Sequence, residues 1–250
     1  MRACGPLRGV VVVLGLLAAC SVSTSATAAA EPPGDGYLSR RVEILVYPED
    51  RDFERSARGL TLDREITLFE GYLWRHSLRH LAVEARVTVV HRDLSSEEFR
   101  NYGEQFGYLL DLSPKIESDI REKGLSRDCL ILLYDSPADR PSRLAGRTFF
   151  EGAHSSIPLR DSYFLEDGFY RPLHLVMAHE FLHQIDLAFS RLGHSADFLD
   201  PDAAGSPEAP PCIDAGGGDL SLRSLLQFNR ECRPVRWDLL APAFGTWVTR

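Results

Sequence analysis

The residues best suited to chemistry in this sequence are His179-Glu180-Phe181-Leu182-His183. On a helix advancing about 100° per residue, His183 falls about 40° from His179, so both imidazoles face the same space. Histidines at i and i+4 are one turn apart, and their ring nitrogens can reach one zinc ion at about 2.0 to 2.1 Å. Glu180, beside the first of them, can take a proton from a zinc-activated water and pass it to a leaving amine. H-E-x-x-H on a helix thus points to zinc-dependent hydrolysis with His179 and His183 as ligands, Glu180 as general base and one ion as cofactor. Asp186 and Ser190 continue the polar stripe. Asp186 is two turns from His179, too far to share the ion, and is expected to accept a hydrogen bond from the outer nitrogen of His183.

The element that must carry this stripe is a long amphipathic helix. It is expected from about Pro172, well placed in a first turn, to Leu192, with Gly193 as its cap. Phe181, Ile185, Ala188, Phe189 and Leu192 supply its buried face. Before it, the patterns predict strands at Arg41 to Tyr47, Val83 to Val90 and Cys129 to Tyr134. Helices are expected at Thr61 to His80 and Ile116 to Lys123, with a helix-prone stretch from Glu97 to Leu110. Arg147 to Leu159 is extended but broken by Gly152 and Pro158, as in an edge strand that could receive an extended peptide. An irregular hairpin explains the same residues. Beyond the helix, Ser195 to Asp219 reads as loop and Leu220 to Glu231 as helical. The closing aromatic residues through Trp247 are expected to lie on the domain.

Those residues resemble the zincin metallopeptidases, in element order from Arg41 to about Leu192 and in residue identity from His179 to His183. The resemblance implies an α+β fold: a zincin-like mixed β-sheet, an active-site helix and a smaller loop-rich C-terminal part. It divides the chain into 37–193 and 194–250. The run to Asp186 also resembles families with an acidic residue three after the second His, lethal-factor-like peptidases among them. The metzincin branch does not fit, because Asp186 and Phe189 stand where its glycine and third histidine belong, and no methionine follows Met177. The gluzincin branch would take Glu231 as third ligand, and the aspzincin branch an aspartate among Asp197, Asp200 and Asp202. A helix running to Leu192 carries the chain about 13 Å past His183, and the return needs about four extended residues. That favours Asp200, with Asp202, Asp197, His194 and Glu231 as alternatives. His154, Tyr163 and Tyr170 are candidates for hydrogen bonds from the cleft wall, although no spacing rule selects them. His174 falls on the apolar side and reads as structural.

The remaining features set the compartment and the partners. Arg2 and Arg8, the apolar run Val10 to Leu17 and the small residues after it form an export signal. Leu17-Ala18-Ala19-Cys20 resembles a bacterial lipobox with Cys20 as the lipidated residue, and cleavage after Ala30 is the competing reading. A cell-envelope lipoprotein or secreted protein is therefore expected, meeting a membrane only through that anchor. In an oxidising compartment Cys212 and Cys232 are expected to form a disulfide, and Cys129 to be a core residue. A cysteine zinc site fits their spacing less well. The chain has 250 residues, 44% of them hydrophobic, and a net charge of -8. That balance excludes a disordered chain and makes nucleic acid an unsuitable partner, the cluster Arg75 to Arg79 reading as a solvated helix face. The expected activity is hydrolysis of peptide bonds in protein or peptide substrates. Two alternatives are a zinc amidase acting on cell-wall or small-molecule amides and an envelope binding protein that has lost catalysis.

Overall fold

The computed structural model describes residues 35–151, 153–164, 172–194, 199–202, 209–214, 218–241 and 243–250. The export signal with Cys20, and the candidates Tyr170 and Asp197, lie outside them. Residues Pro33–Arg250 form one compact unit. No helix among the described residues is long and apolar enough to cross a membrane.

The fold is α+β around a mixed sheet. Strand β1 (Gly36–Tyr47) is central, with β2 (Leu81–Val89) and β5 (Leu130–Asp135) parallel to it on either side. Strand β7 (His154–Leu159) runs parallel to β5, and the short β6 (Arg147–Phe149) closes that edge antiparallel to β7. The segment expected to be an edge strand is thus a hairpin, with only β6 at the edge. The last strand, β8 (Thr246–Thr249), pairs antiparallel with the start of β1 through Gly36 to Ser39.

Both faces of the sheet are covered, which is why β5 and the end of β1, Ile44 to Tyr47, are apolar without a break, although the start of β1 alternates. Val42, Ile44, Val46, Ile131 and Leu133 point to one face, where α1 (Ala57–His76) and α3 (Leu173–Arg191) cover them. Leu45, Tyr47, Leu130, Leu132 and Tyr134 point to the other, beneath α2 (Pro114–Glu122). The short hairpin of β3 (Phe99–Asn101) and β4 (Tyr108–Leu110) adds Phe99 and Leu110 on that side. After α3 comes α4 (Gly218–Leu225). Leu222, Leu225, Trp237 and Leu240 belong to the same apolar cluster as β1 and α3, so the C-terminal residues share the core.

Several boundaries differ from the expectations. Helix α1 begins at Ala57 rather than Thr61, because Ser56 accepts the Gly59 N–H and caps it. It ends at His76, and Leu78 and Arg79 then take left-handed φ values of 55° and 68°. Glu97 to Leu110 is not helical. The Glu98 carboxylate accepts the Ser95 N–H at 2.7 Å in a capping box around a single 3-10 turn. Gly103 and Gly107, at φ 88° and 73°, then provide the left-handed positions of the β3–β4 hairpin. The C-terminal helix stops at Leu225, well short of Glu231. The Asn229 side chain there accepts the N–H groups of Glu231 and Arg233, which turns the chain toward Cys232. Cys232 is disulfide-bonded to Cys212, while Cys129 is free and buried.

Candidate functional site

Helix α3 is held by its apolar face. Phe181, Leu182, Ile185 and Phe189 are fully buried, and Phe181 meets Phe69 of α1 edge to face at 5.9 Å. Pro172 precedes the helix, and Gly193 follows at φ 81°, the left-handed position that ends many helices. With that face fixed, His179 and His183 project together into a cleft. Their Nε2 atoms are 3.3 Å apart, and their rings are nearly perpendicular.

A third donor completes the group. Asp202 Oδ1 lies 3.5 Å from His179 Nε2 and 3.4 Å from His183 Nε2. Among the described residues, these three form the group of His, Cys, Asp and Glu side chains close enough to share a metal ion. Donors bound tetrahedrally to one zinc at about 2.0 to 2.1 Å stand about 3.3 to 3.4 Å apart. The three separations, 3.3 to 3.5 Å, are compatible with such an ion. Burial, and then the neighbouring His179, hold the proton affinity of His183 below the ordinary imidazole range, which favours the neutral ring that binds metal. The hydrogen bond from His179, against a smaller opposing effect of burial, holds Asp202 below its usual range.

Glu180 sits 5% exposed beside this group. Thr148 of β6 donates its hydroxyl to Glu180 Oε2 at 2.8 Å, and Thr148 Oγ1 also lies 2.9 Å from the Glu180 backbone carbonyl and from Ser155 Oγ. Gln184 extends the contact, donating its amide to Ser155 Oγ at 2.6 Å and to the Leu130 carbonyl at 3.0 Å. Oε1 is turned toward Gly146, where a Cβ would come within 2.8 Å of it. Glycine at 146 is therefore a condition for this placement of the carboxylate. The cleft, about 520 Å³, is walled by the segment from Leu144 to Thr148 on one side and by Val176, His179, Glu180 and His183 on the other. Phe150, 52% exposed, stands at its rim, edge-on to His183 at 6.3 Å. A smaller cavity of about 140 Å³, between Arg40, Cys129, Gln184 and Phe244, lies on the other flank of α3, away from the imidazoles.

The carboxylate beside the imidazoles belongs to Asp202 rather than to Asp200, the residue favoured by the return path. Asp200 has φ 50° and donates its backbone N–H to Asp186 Oδ2 at 3.0 Å. The role expected for Asp186 changes as well. Asp186 is 1% exposed, and its carboxylate accepts the N–H groups of Leu199, at 2.6 Å, and Asp200 instead of holding His183. Burial pushes Asp186 up to about 7, and the two amide hydrogen bonds only partly counter it. His194 donates its backbone N–H to the Phe189 carbonyl, Glu231 pairs with Arg233, and neither joins the cluster.

The cleft-wall candidates divide. His154 is a core residue, 1% exposed and stacked on Phe149 at 4.6 Å, with Nε2 3.4 Å from Asp111. Tyr163 reaches the wall indirectly, donating its hydroxyl to the Ala145 carbonyl at 3.1 Å. His174 is structural, its Nδ1 2.8 Å from Glu65. Thr148, Ser155 and Gly146 were not singled out by the sequence. The readable signal was a Thr and a Ser that become cross-strand partners once Arg147 to Leu159 is paired as a hairpin.

The sequence matches no known family profile and no curated protein. One chain of a solved structure, "Structure of a chaperone-substrate complex", is similar at 11% identity with a TM-score of 0.37. That similarity covers 60% of this chain and 23% of the other, so this chain spans under a quarter of its length. A likeness of this degree carries no argument about fold or function.

Proposed function

We propose that this chain is an exported zinc-dependent metallopeptidase. The observation that carries the reading is the triangle of His179, His183 and Asp202, with sides of 3.3 to 3.5 Å, beside a buried glutamate in an open cleft. When bound, zinc supplies Lewis acidity that polarises a carbonyl and makes a water more acidic. The chain's own groups do the rest. Glu180, steadied at Oε2 by the Thr148 hydroxyl, takes the proton of the attacking water and returns it to the leaving amine. The β6 edge offers backbone groups along one side, against which an extended peptide can lie. The disulfide between Cys212 and Cys232 supports the exported reading, since such bonds persist outside the cytoplasm.

A second reading, hydrolysis of a smaller amide, is favoured by the shortness of that edge, three residues from Arg147 to Phe149. The test for either uses the purified protein loaded with zinc and assayed on denatured casein and on peptidoglycan fragments. One zinc per chain is expected, with Glu180→Gln keeping the metal and losing about 10² to 10⁴ of the rate. Full activity in that variant would remove Glu180 from the mechanism. Turnover of the fragments alone would select the second reading.

A further inference from the structure

Besides Glu180, helix α3 bears a second buried carboxylate, Asp186. Asp186 accepts two consecutive backbone amides, those of Leu199 and Asp200, and each of its oxygens takes one. Those amides lead into the turn that carries Asp202, and Leu199 itself is 1% exposed in the main apolar cluster. The Asp202 side chain is by contrast 79% exposed. From these contacts we infer that Asp186 is the positioning residue for the third donor: it fixes the loop, and thereby Asp202, to the helix that carries His179 and His183. The inference rests on the zinc-site reading above.

The physical reason is that a donor on an exposed loop must be ordered before it can add to the affinity of a site. A carboxyl group accepting two neighbouring amides, one on each oxygen, fixes both position and direction of the chain. The anchor also stands on the same rigid helix as the other two donors, so all three share one frame. Asn at 186 would keep one acceptor but turn an NH₂ toward the second amide, setting donor against donor.

The experiment measures zinc affinity by chelator competition in the full-length protein, for Asp186→Asn, Asp202→Asn and the double variant, with Asp200→Asn as control. The expected result is a loss of about 10- to 100-fold for Asp186→Asn, the range seen when a group supporting a ligand is removed. In the Asp202→Asn background the same change should cost little more, and Asp200→Asn should bind as wild type does. An unchanged affinity in Asp186→Asn, or an equal loss with and without Asp202, would overturn the proposal. The cobalt(II) spectrum gives a second readout, since loss of a carboxylate donor changes the coordination that a merely destabilised fold would retain. Hydrogen exchange of the metal-free wild type tests the anchor without any substitution. The Leu199 and Asp200 amides should be protected, and free exchange there would mean that no anchor exists. A wild-type protein that binds no zinc while those amides are protected would instead refute the zinc-site reading and leave the anchor standing.

Discussion

The two sides of the cleft are built in different ways. On one side, His179, Glu180 and His183 sit within five residues of one helix, and α-helical geometry alone sets their spacing. On the other, Gly146 and Thr148 come from the segment leading into and through β6, and Asp202 from a turn beyond the helix. Nothing local holds these groups in place. Their positions depend on the β6–β7 pairing, on the Tyr163 hydroxyl against the Ala145 carbonyl, and on Asp186 against two amides. The helical side should therefore tolerate changes around it, while the opposite side should fail through substitutions that touch no donor atom.

This contrast can be broken from the strand side. Gly146→Ala places a methyl carbon 2.8 Å from Glu180 Oε1 and 2.9 Å from its Cγ, and should displace the carboxylate while sparing the imidazoles. A loss of about 10² in rate with unchanged zinc content is expected, as for a misplaced reacting group. Unchanged turnover would show that the carboxylate need not be held there. Thr148→Val should have a smaller effect, about tenfold, because it removes one hydrogen bond to Glu180 Oε2. Thr148→Ser should restore the rate, and a similar loss in both variants would point to packing.

The smallest effect expected is on the pH dependence of stability in the metal-free protein. Asp186 and Glu98 are both buried carboxylates that organise a loop, but their partners differ. Burial opposes the charge on Glu98, yet the two hydrogen bonds from Arg92 and the Ser95 amide outweigh it and hold Glu98 below its ordinary 4.5. Its contribution is present above that value and is lost as pH falls through the lower folded value. Asp186 has amide partners only and is raised to about 7, so its contribution is full below 3.8 and declines as pH rises toward 7. Thermal melts should show Glu98→Gln flattening the acid limb and Asp186→Asn the limb between about 4 and 7, each by about 2 to 4 °C. The opposite assignment would contradict the stated causes.

The same division explains what could be read in advance. Apolar periodicity and the Pro172 and Gly193 signals placed α3 to within a residue or two, and with it the paired imidazoles. The central strands were legible because both faces of β1 and β5 are buried, and the Cys212–Cys232 pair because the alternatives were few. The nearness of Asp202 was not. Chain length limited the carboxylate to a handful of residues, but Asp202 rather than Asp200 lies beside the imidazoles where Asp186 accepts the amides of Leu199, 13 positions on, and Asp200, 14 on. Thr148 was hidden for a similar reason. Its partner at 180 is 32 positions away, and the alignment depends on a hairpin that the sequence presented as one broken strand.

Gly146 carries a consequence for chains built on the same plan. A Cβ at 146 would stand 2.8 Å from Oε1, so any other residue there requires the Glu180 side chain to shift. A chain that kept both imidazoles and the glutamate but bore a side chain at 146 would retain every named element of the motif with its proton acceptor displaced. Inspection of the motif alone would score it as an enzyme. On the proposed mechanism, the residue at 146 is therefore to be read together with the five residues of the motif.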